Sequence, residues 1–405
     1  ALGRLGCLMP RLANAALQWR WVRGLLKRAL GLTDRRPLPP FARQRFDHWF
    51  ARRRRSRPGP RGRVILWDDT FARYHEPHIG QAAVTVLEAA GFEVVLPVGR
   101  QCCGRPAFSQ GNLNLVQRLG RHNLKLLSSP PDLGQRTSDF SSVPVLFLEP
   151  SCWTMFVEDY RELKLPGAEQ LAPRCWLFEQ FMEDLLRREP GALRFREQPG
   201  HVAIHAHCHA KALLHPGFMA RLAQRLPGRT AAVLDTACCG MAGAFGASEE
   251  KVELSLQVGR LLLEPLRQQP AGSVIVASGT SCRQQIEHLT ARRPLHLAEV
   301  LAGALAAAQA ELQAVNERLG PPPAQPLSAD QWAARLRPLQ QELAQVEAEI
   351  QRMRAQLPNS PAPAEGNDFT RNQIRNLEAR RAELQRKISD IQDEARRSGA
   401  PPGWV

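Results

Sequence analysis

Nine cysteines are spread along 405 residues, and seven of them fall into two sets with matching spacing. The second set is Cys208, the adjacent pair Cys238 and Cys239, and Cys282; the first is Cys102, Cys103 and Cys152, with Asp69 standing where a first cysteine would be. From Asp69 to Cys102 is 33 positions and from Cys208 to Cys238 is 30, while Cys103 to Cys152 is 49 and Cys239 to Cys282 is 43. Each pair is followed by glycine, Gly104 or Gly240. An odd number of cysteines in a chain expected to be intracellular points away from a disulfide framework and toward metal binding or redox chemistry.

Two adjacent thiolates on extended backbone face opposite ways and do not easily ligate one tetrahedral ion. A turn at the following glycine, or a cluster in which several irons share the ligands, removes the difficulty. The four-thiol set therefore favours a polynuclear iron-sulfur cluster, with zinc as the alternative. The three-thiol set reads as a second, degenerate site, because the Asp69 carboxylate is a hard, weak ligand for such a cluster. His207 and His209 flank Cys208 and are expected to support the site or to ligate directly, and His205 stands nearby. Glu149 and Asp235, each close before a cysteine loop, are candidate orienting acceptors. Gly240, Gly243 and Gly246 lack the Lys-Ser/Thr ending of a phosphate loop and read as close packing. Cys7 and Cys175 lie in helical surroundings outside the repeats and read as buried structural residues.

The elements that must position these groups are βαβ units. Strands are expected at Arg63–Trp67, Glu93–Pro97 and Val143–Leu148, then at His201–His205, Ala231–Asp235 and Ser273–Ala277. Helical periodicity covers Ile79–Ala90, Leu113–Leu127, Trp176–Leu186, Phe218–Arg225 and Glu249–Leu266. Each cysteine loop follows a strand, at the carboxyl edge where parallel sheets deliver ligand-binding loops. The fold class is α/β: two tandem βαβ-type cysteine-rich repeats with parallel sheets, then an all-α coiled-coil hairpin.

The organisation expected is a basic helical lead-in over residues 1–62, repeat 1 over 63–195, repeat 2 over 196–305 and a helical tail over 306–405. In the tail, Leu336, Leu339, Leu343, Val346, Ile350, Met353 and Leu357 step by 3 and 4, and a second seam runs through Ile374, Leu377, Leu384, Ile388 and Ile391, with Arg381 at one seam position. Pro358 to Asp368 breaks the two. Such helices fold back on each other or pair with another chain. In the lead-in, Trp19, Trp21, Leu25 and Leu30 beside Arg and Lys allow an amphipathic membrane-surface helix as a rival to packing within the protein.

A net charge of +15 would suit an acidic partner. The dense block of Arg52 to Arg55 with Arg57, Arg61 and Arg63 reads instead as a solvated linker, and no nucleic-acid motif accompanies it. No run of eighteen uncharged apolar residues exists, so no transmembrane segment is expected, and the location expected is cytoplasmic, with peripheral attachment to the inner membrane as a variant.

The stretch from Arg63 to Leu305 resembles the cysteine-rich (CCG) domain family, as found in the cysteine-rich component of heterodisulfide reductase and in the iron-sulfur component of glycolate oxidase. It looks most like the carboxyl-terminal region of FAD/iron-sulfur fusion D-2-hydroxy-acid dehydrogenases, the D-lactate and D-2-hydroxyglutarate enzymes. The resemblance rests on Asp69-Thr70-Phe71 with Tyr74 and Glu76-Pro77, Cys102-Cys103-Gly104-Arg105-Pro106, Glu149-Pro150-Ser151-Cys152, His205 to Lys211, Cys238 to Gly243, and Ser281-Cys282-Arg283. It implies a cluster of the 4Fe-4S type, in cubane or noncubane form, passing electrons from FAD on a partner flavoprotein or an upstream domain during oxidation of glycolate, D-lactate or D-2-hydroxyglutarate. The chain has neither a C-x-x-C-x-x-C-x-x-x-C-P run nor a flavin domain, so a fragment or separate subunit, inactive as a dehydrogenase alone and without catalytic residues of its own, is expected. A zinc-stabilised scaffold acting through its coiled coil is the rival reading.

Overall fold

The structure, a computed structural model, describes residues 2–53, 60–128, 143–306, 329–355 and 365–397. The chain divides into two compact units, Ala1–Pro321 and Pro322–Val405.

The first unit holds two parallel sheets. Strands β1 (Arg63–Trp67), β2 (Glu93–Val95), β3 (Val145–Phe147) and β4 (Cys175–Leu177) form one sheet in the order β2-β1-β3-β4; β5 (Gly200–His205), β6 (Arg229–Val233) and β7 (Val274–Ala277) form the other in the order β6-β5-β7. The shared order, with the first strand of each repeat between its second and third, is the duplication expected from the cysteine spacing. Val64, Ile65, Leu66 and Trp67 are all buried, as a central parallel strand covered on both faces requires. At the edge, β6 alternates between half-buried and exposed residues.

Cys175 does not lie in a helix. It opens β4, pairs with Val145, and the helix begins only at Phe178. Three residues are too short a run to register as a strand beside a strong helical pattern. The second repeat keeps a remnant of the same strand: Leu295 bridges in parallel to Val276, donates to the Ile275 carbonyl at 2.9 Å and accepts from Ala277 at 3.0 Å. His296 then caps the helix Leu297–Ala304 in a capping box with Glu299.

The lead-in does pack on the repeats. Leu32 bridges antiparallel to Ser248, Thr33 N–H donates to the Ala247 carbonyl at 2.8 Å, and Glu249 N–H donates to the Gly31 carbonyl at 2.8 Å. Its helices leave Trp19, Trp21, Leu25 and Leu30 exposed. In the arginine block, Arg53 pairs with Glu88 at 2.6 Å and Arg63 with Glu93 at 2.8 Å; Arg54, Arg55 and Arg57 lie outside the described residues. Among the described residues, no helix is long and apolar enough to cross a membrane.

The second unit is a hairpin of two helices, Ala329–Ala355 and Glu365–Arg397. Val346, Ile350, Ile374 and Leu384 form its buried seam, flanked by Leu339, Leu343, Met353 and Leu377. Arg335 pairs with Glu394 at 2.7 Å, Arg380 with Glu342 at 2.7 Å, and Arg354 with Glu378, an order that makes the helices antiparallel. Leu357 lies outside the described residues.

His296 ties stability to pH. Its Nε2 faces the Leu148 carbonyl at 3.1 Å, while its Nδ1 accepts from Ala298 N–H at 3.0 Å, a pairing that only the neutral ring can make. Burial, with the Arg283 charge adding, pulls its pKa down from 6.5 to about 3. The depressed value means that its contribution is whole above pH 6.5 and is lost as pH falls toward 3. Glu179, 3.3 Å from His296, is pushed up to about 7 by burial and tilts stability the other way above its unfolded range. The stability advantage of wild type over His296→Asn should therefore narrow steadily from about pH 6.5 downward in urea melts; a constant difference would refute this role.

Candidate metal centre

The Cys-Cys-Gly turns of the two repeats are built alike. Gly104 and Gly240 both sit at positive φ, 89° and 83°. In that conformation, which favours glycine, each N–H turns back toward the first thiol of its pair: Gly104 N to Cys102 Sγ at 3.5 Å and Gly240 N to Cys238 Sγ at 3.4 Å. The turn expected from the glycines is thus present in both copies. A Cβ on Gly240 would also stand 2.3 Å from the Ser255 carbonyl oxygen, and one on Gly246 would stand 2.4 Å from Ser255 Oγ, so this loop is close-packed.

In the second repeat the four thiols lie near enough to bear on one another's charge: Cys208 on Cys238 and Cys282, Cys238 on its neighbour Cys239, and Cys239 on Cys282. Cys208 and Cys239 pull Cys238 well down from its ordinary value. Cys282 is held well below its ordinary value by Cys239, with the His205 and His207 rings adding to this. Cys208 and Cys239 are pushed up, first by their contacts with Cys238 and then by burial. Cys208 and Cys282 also occupy the first turns of the helices Cys208–Leu213 and Thr280–Thr290, where the backbone favours a thiolate. His205, fixed at Nδ1 by Thr236 Oγ1 at 2.7 Å, leaves a buried Nε2 without a hydrogen-bond partner among the described residues.

The first repeat brings together Cys102, Cys103 and Cys152, with the last two sulfurs 3.1 Å apart. All three thiols are raised. The contact with Cys103 and burial push up Cys102; Cys103, pulled down by Cys102, is pushed further up by Cys152 and burial; Cys152, pulled down by Cys103, ends raised through burial, Asp69 and Glu149. Asn123 clamps this turn, accepting from Gln101 N–H at 2.9 Å and donating to the Cys102 carbonyl at 3.1 Å.

Strand register revises the place of Asp69. Trp67 stands opposite Phe147 and His205 opposite Ala277, and Cys152 and Cys282 follow those partners by the same five positions. Counting on from Trp67 and His205 puts Asp69 with His207, and Thr70 with Cys208. Asp69 caps the helix Thr70–Tyr74, accepting from Phe71 and Ala72 N–H at 2.7 and 3.1 Å, as His207 caps the next with His209 N–H at 3.1 Å. Burial and the nearby Glu149 push the Asp69 carboxyl up to about 7. Spacing alone absorbs a one-residue shift.

Of the other candidates, Asp235 is exposed, and the neighbouring Thr236 holds His205 instead. His209 Nδ1 lies 3.0 Å from Thr154 Oγ1, and burial, then Arg105, lowers its pKa to about 4. Glu149 does more than orient one loop. One oxygen accepts from Ser151 N–H at 3.2 Å and Oγ at 2.8 Å; the other accepts from Thr280 N–H at 2.8 Å, across the repeats. Sequence reasoning missed three further partners. Arg283 pairs with Glu76 at 2.7 Å, Ser278 donates to Glu179, and Arg105 grips Asp159. Glu76, Arg105 and Arg283 adjoin the motifs, but their pairing across up to two hundred residues leaves no local pattern.

Among the described residues, no three His, Cys, Asp or Glu side chains converge as ligands of one metal ion. Four mutually coupled thiols, two of them favoured as thiolates, and a buried His205 Nε2 without a partner among the described residues suit a group with several metal atoms.

Matching turns at the ends of two like-ordered parallel sheets define a duplicated, thiol-rich α/β protein. The cysteine-rich domain family, CCG, matches residues 70–133 and 202–287, one stretch in each repeat. One component of the anaerobic glycerol-3-phosphate dehydrogenase of Escherichia coli is 26% identical over 311 residues, 75% of each chain. The D-2-hydroxyglutarate dehydrogenase of Pseudomonas putida is 27% identical over 311 residues, 72% of this chain but 28% of that protein. Lactate utilization protein A of Bacillus thuringiensis is 25% identical over 217 residues, 49% of this chain and 83% of that protein.

Two substitutions probe this construction. Gly240→Ala forces a Cβ against Ser255 and should cost more than about 1 kcal/mol in urea denaturation, whereas Gly243→Ala, with positive φ but nothing within 4 Å, should cost less. Arg283→Met strands the Glu76 carboxylate and should cost about 3–5 kcal/mol, a loss that Glu76→Gln added to it should partly restore.

Proposed function

We propose that the chain is an iron-sulfur electron-transfer component of a flavin-linked dehydrogenase system, with Cys208, Cys238, Cys239 and Cys282 as the ligands of a polynuclear cluster of the 4Fe-4S type. The observation that carries this reading is the pair of matching Cys-Cys-Gly turns at the ends of two like-ordered parallel sheets, the second of them with the full set of four thiols beside His205 and His207. Cys102, Cys103 and Cys152 form a second, degenerate site, with Asp69 and His209 supporting rather than ligating. The repeats divide at residues 63–195 and 196–305. The relatives' names point to dehydrogenases of glycerol-3-phosphate and D-2-hydroxyglutarate and to lactate utilization; on this reading FAD sits on a partner flavoprotein and the chain works on the cytoplasmic side of the cell. The helical hairpin serves assembly.

When bound, the cluster accepts and returns single electrons. The residues around it do the rest. The glycine turn brings the Gly240 N–H back to the Cys238 sulfur. Helix Thr280–Thr290 offers its first turn to the Cys282 sulfur, and Glu149 fixes that helix at Thr280. His205 and His207 line the buried wall beside the Cys282 sulfur, His205 held by Thr236 Oγ1 and His207 by accepting from His209 N–H.

The test is metal and acid-labile sulfide analysis with electron paramagnetic resonance on protein purified anaerobically. Iron, sulfide and a signal lost in Cys239→Ser are expected. Stoichiometric zinc without sulfide would overturn the electron-transfer reading in favour of a zinc-held scaffold.

A further inference from the structure

We propose that Arg36, carried into the second repeat by the lead-in segment, is the counter-charge of the group bound at Cys239 and sets its reduction potential; this rests on the function proposed above. Among the described residues of the first unit, four arginines are buried: Arg36, Arg73, Arg100 and Arg283. Three meet carboxylates. Arg73 and Arg100 share Asp68, at 2.6 and 3.0 Å, and Arg283 holds Glu76 at 2.7 Å. Among the described residues, Arg36 meets only neutral partners: Gln285 Oε1, Ser255 Oγ at 3.1 Å, and His288 Nδ1 at 3.4 Å. Its Nε is buried without a partner among them.

A guanidinium taken out of water without an anion is costly, and proteins seldom keep one unpaired. The two partners that hold Arg36 adjoin a source of negative charge, the thiol set. Gln285 and Ser255, which hold Arg36, pack on the cysteine turn itself: a Cβ on Gly240 would touch the Ser255 carbonyl at 2.3 Å, and one on Gly259 would lie 2.5 Å from Gln285 Nε2 and 3.3 Å from the Cys239 carbonyl. Arg36 and the Cys239 sulfur feel each other electrostatically. The backbone pairing of residues 31–33 with 247–249 delivers Arg36 to this position.

A thiolate-ligated cluster supplies the missing anion. Adding an electron makes it more negative, so a fixed positive charge favours the reduced state, and removing that charge must lower the potential. The experiment is a potentiometric titration, followed by electron paramagnetic resonance, of the reconstituted full chain. Arg36→Gln should shift the midpoint negative by about tenfold in the one-electron equilibrium constant, about 59 mV, while Arg36→Lys stays near wild type. Gln285→Glu, which gives Arg36 a carboxylate without altering it, should shift the midpoint in the same direction and stands in if Arg36→Gln does not fold. Equal midpoints in wild type, Arg36→Gln and Gln285→Glu would overturn the assignment to Arg36. A wild-type chain that takes up no cluster would overturn the functional reading beneath it.

Discussion

The site depends on one carboxylate. Glu149, at the end of β3, caps its own helix through Ser151 and, with its other oxygen, binds Thr280 N–H at the start of the corresponding helix in the other repeat. Those two helices carry Cys152 and Cys282. Capping satisfies backbone donors that would otherwise be orphaned at a buried helix end. Because one side chain serves both, the two cysteine helices cannot shift independently. The pairing of Glu76 with Arg283 adds a second tie to the same helix, and Thr280 Oγ1, donating to Glu76 at 3.0 Å, closes the network.

Held in this frame, the two copies have diverged in charge more than in shape. The glycine turns agree in kind, both at positive φ and both with an N–H turned toward the first sulfur. The surroundings differ: two histidines and a buried arginine stand by the second set of thiols, while Asp69 and Glu149 raise Cys152 in the first. Thiolates need compensation when water is excluded. In the second repeat two thiols are lowered, while all three of the first are raised and Thr70 stands at the place of Cys208.

Strands, helices and repeat order were legible because burial imposes periodicity and a parallel sheet imposes its crossovers. The β-rich runs at Arg63–Trp67 and His201–His205 could hardly be read otherwise. What escaped was short or distant. Strand β4 is three residues long and abuts a helix; Asp69 differs from a true cysteine equivalent by one position, which only register reveals. The roles of Glu149, Arg283 and Arg36 depend on partners 131, 207 and 249 residues away, and no local pattern encodes them.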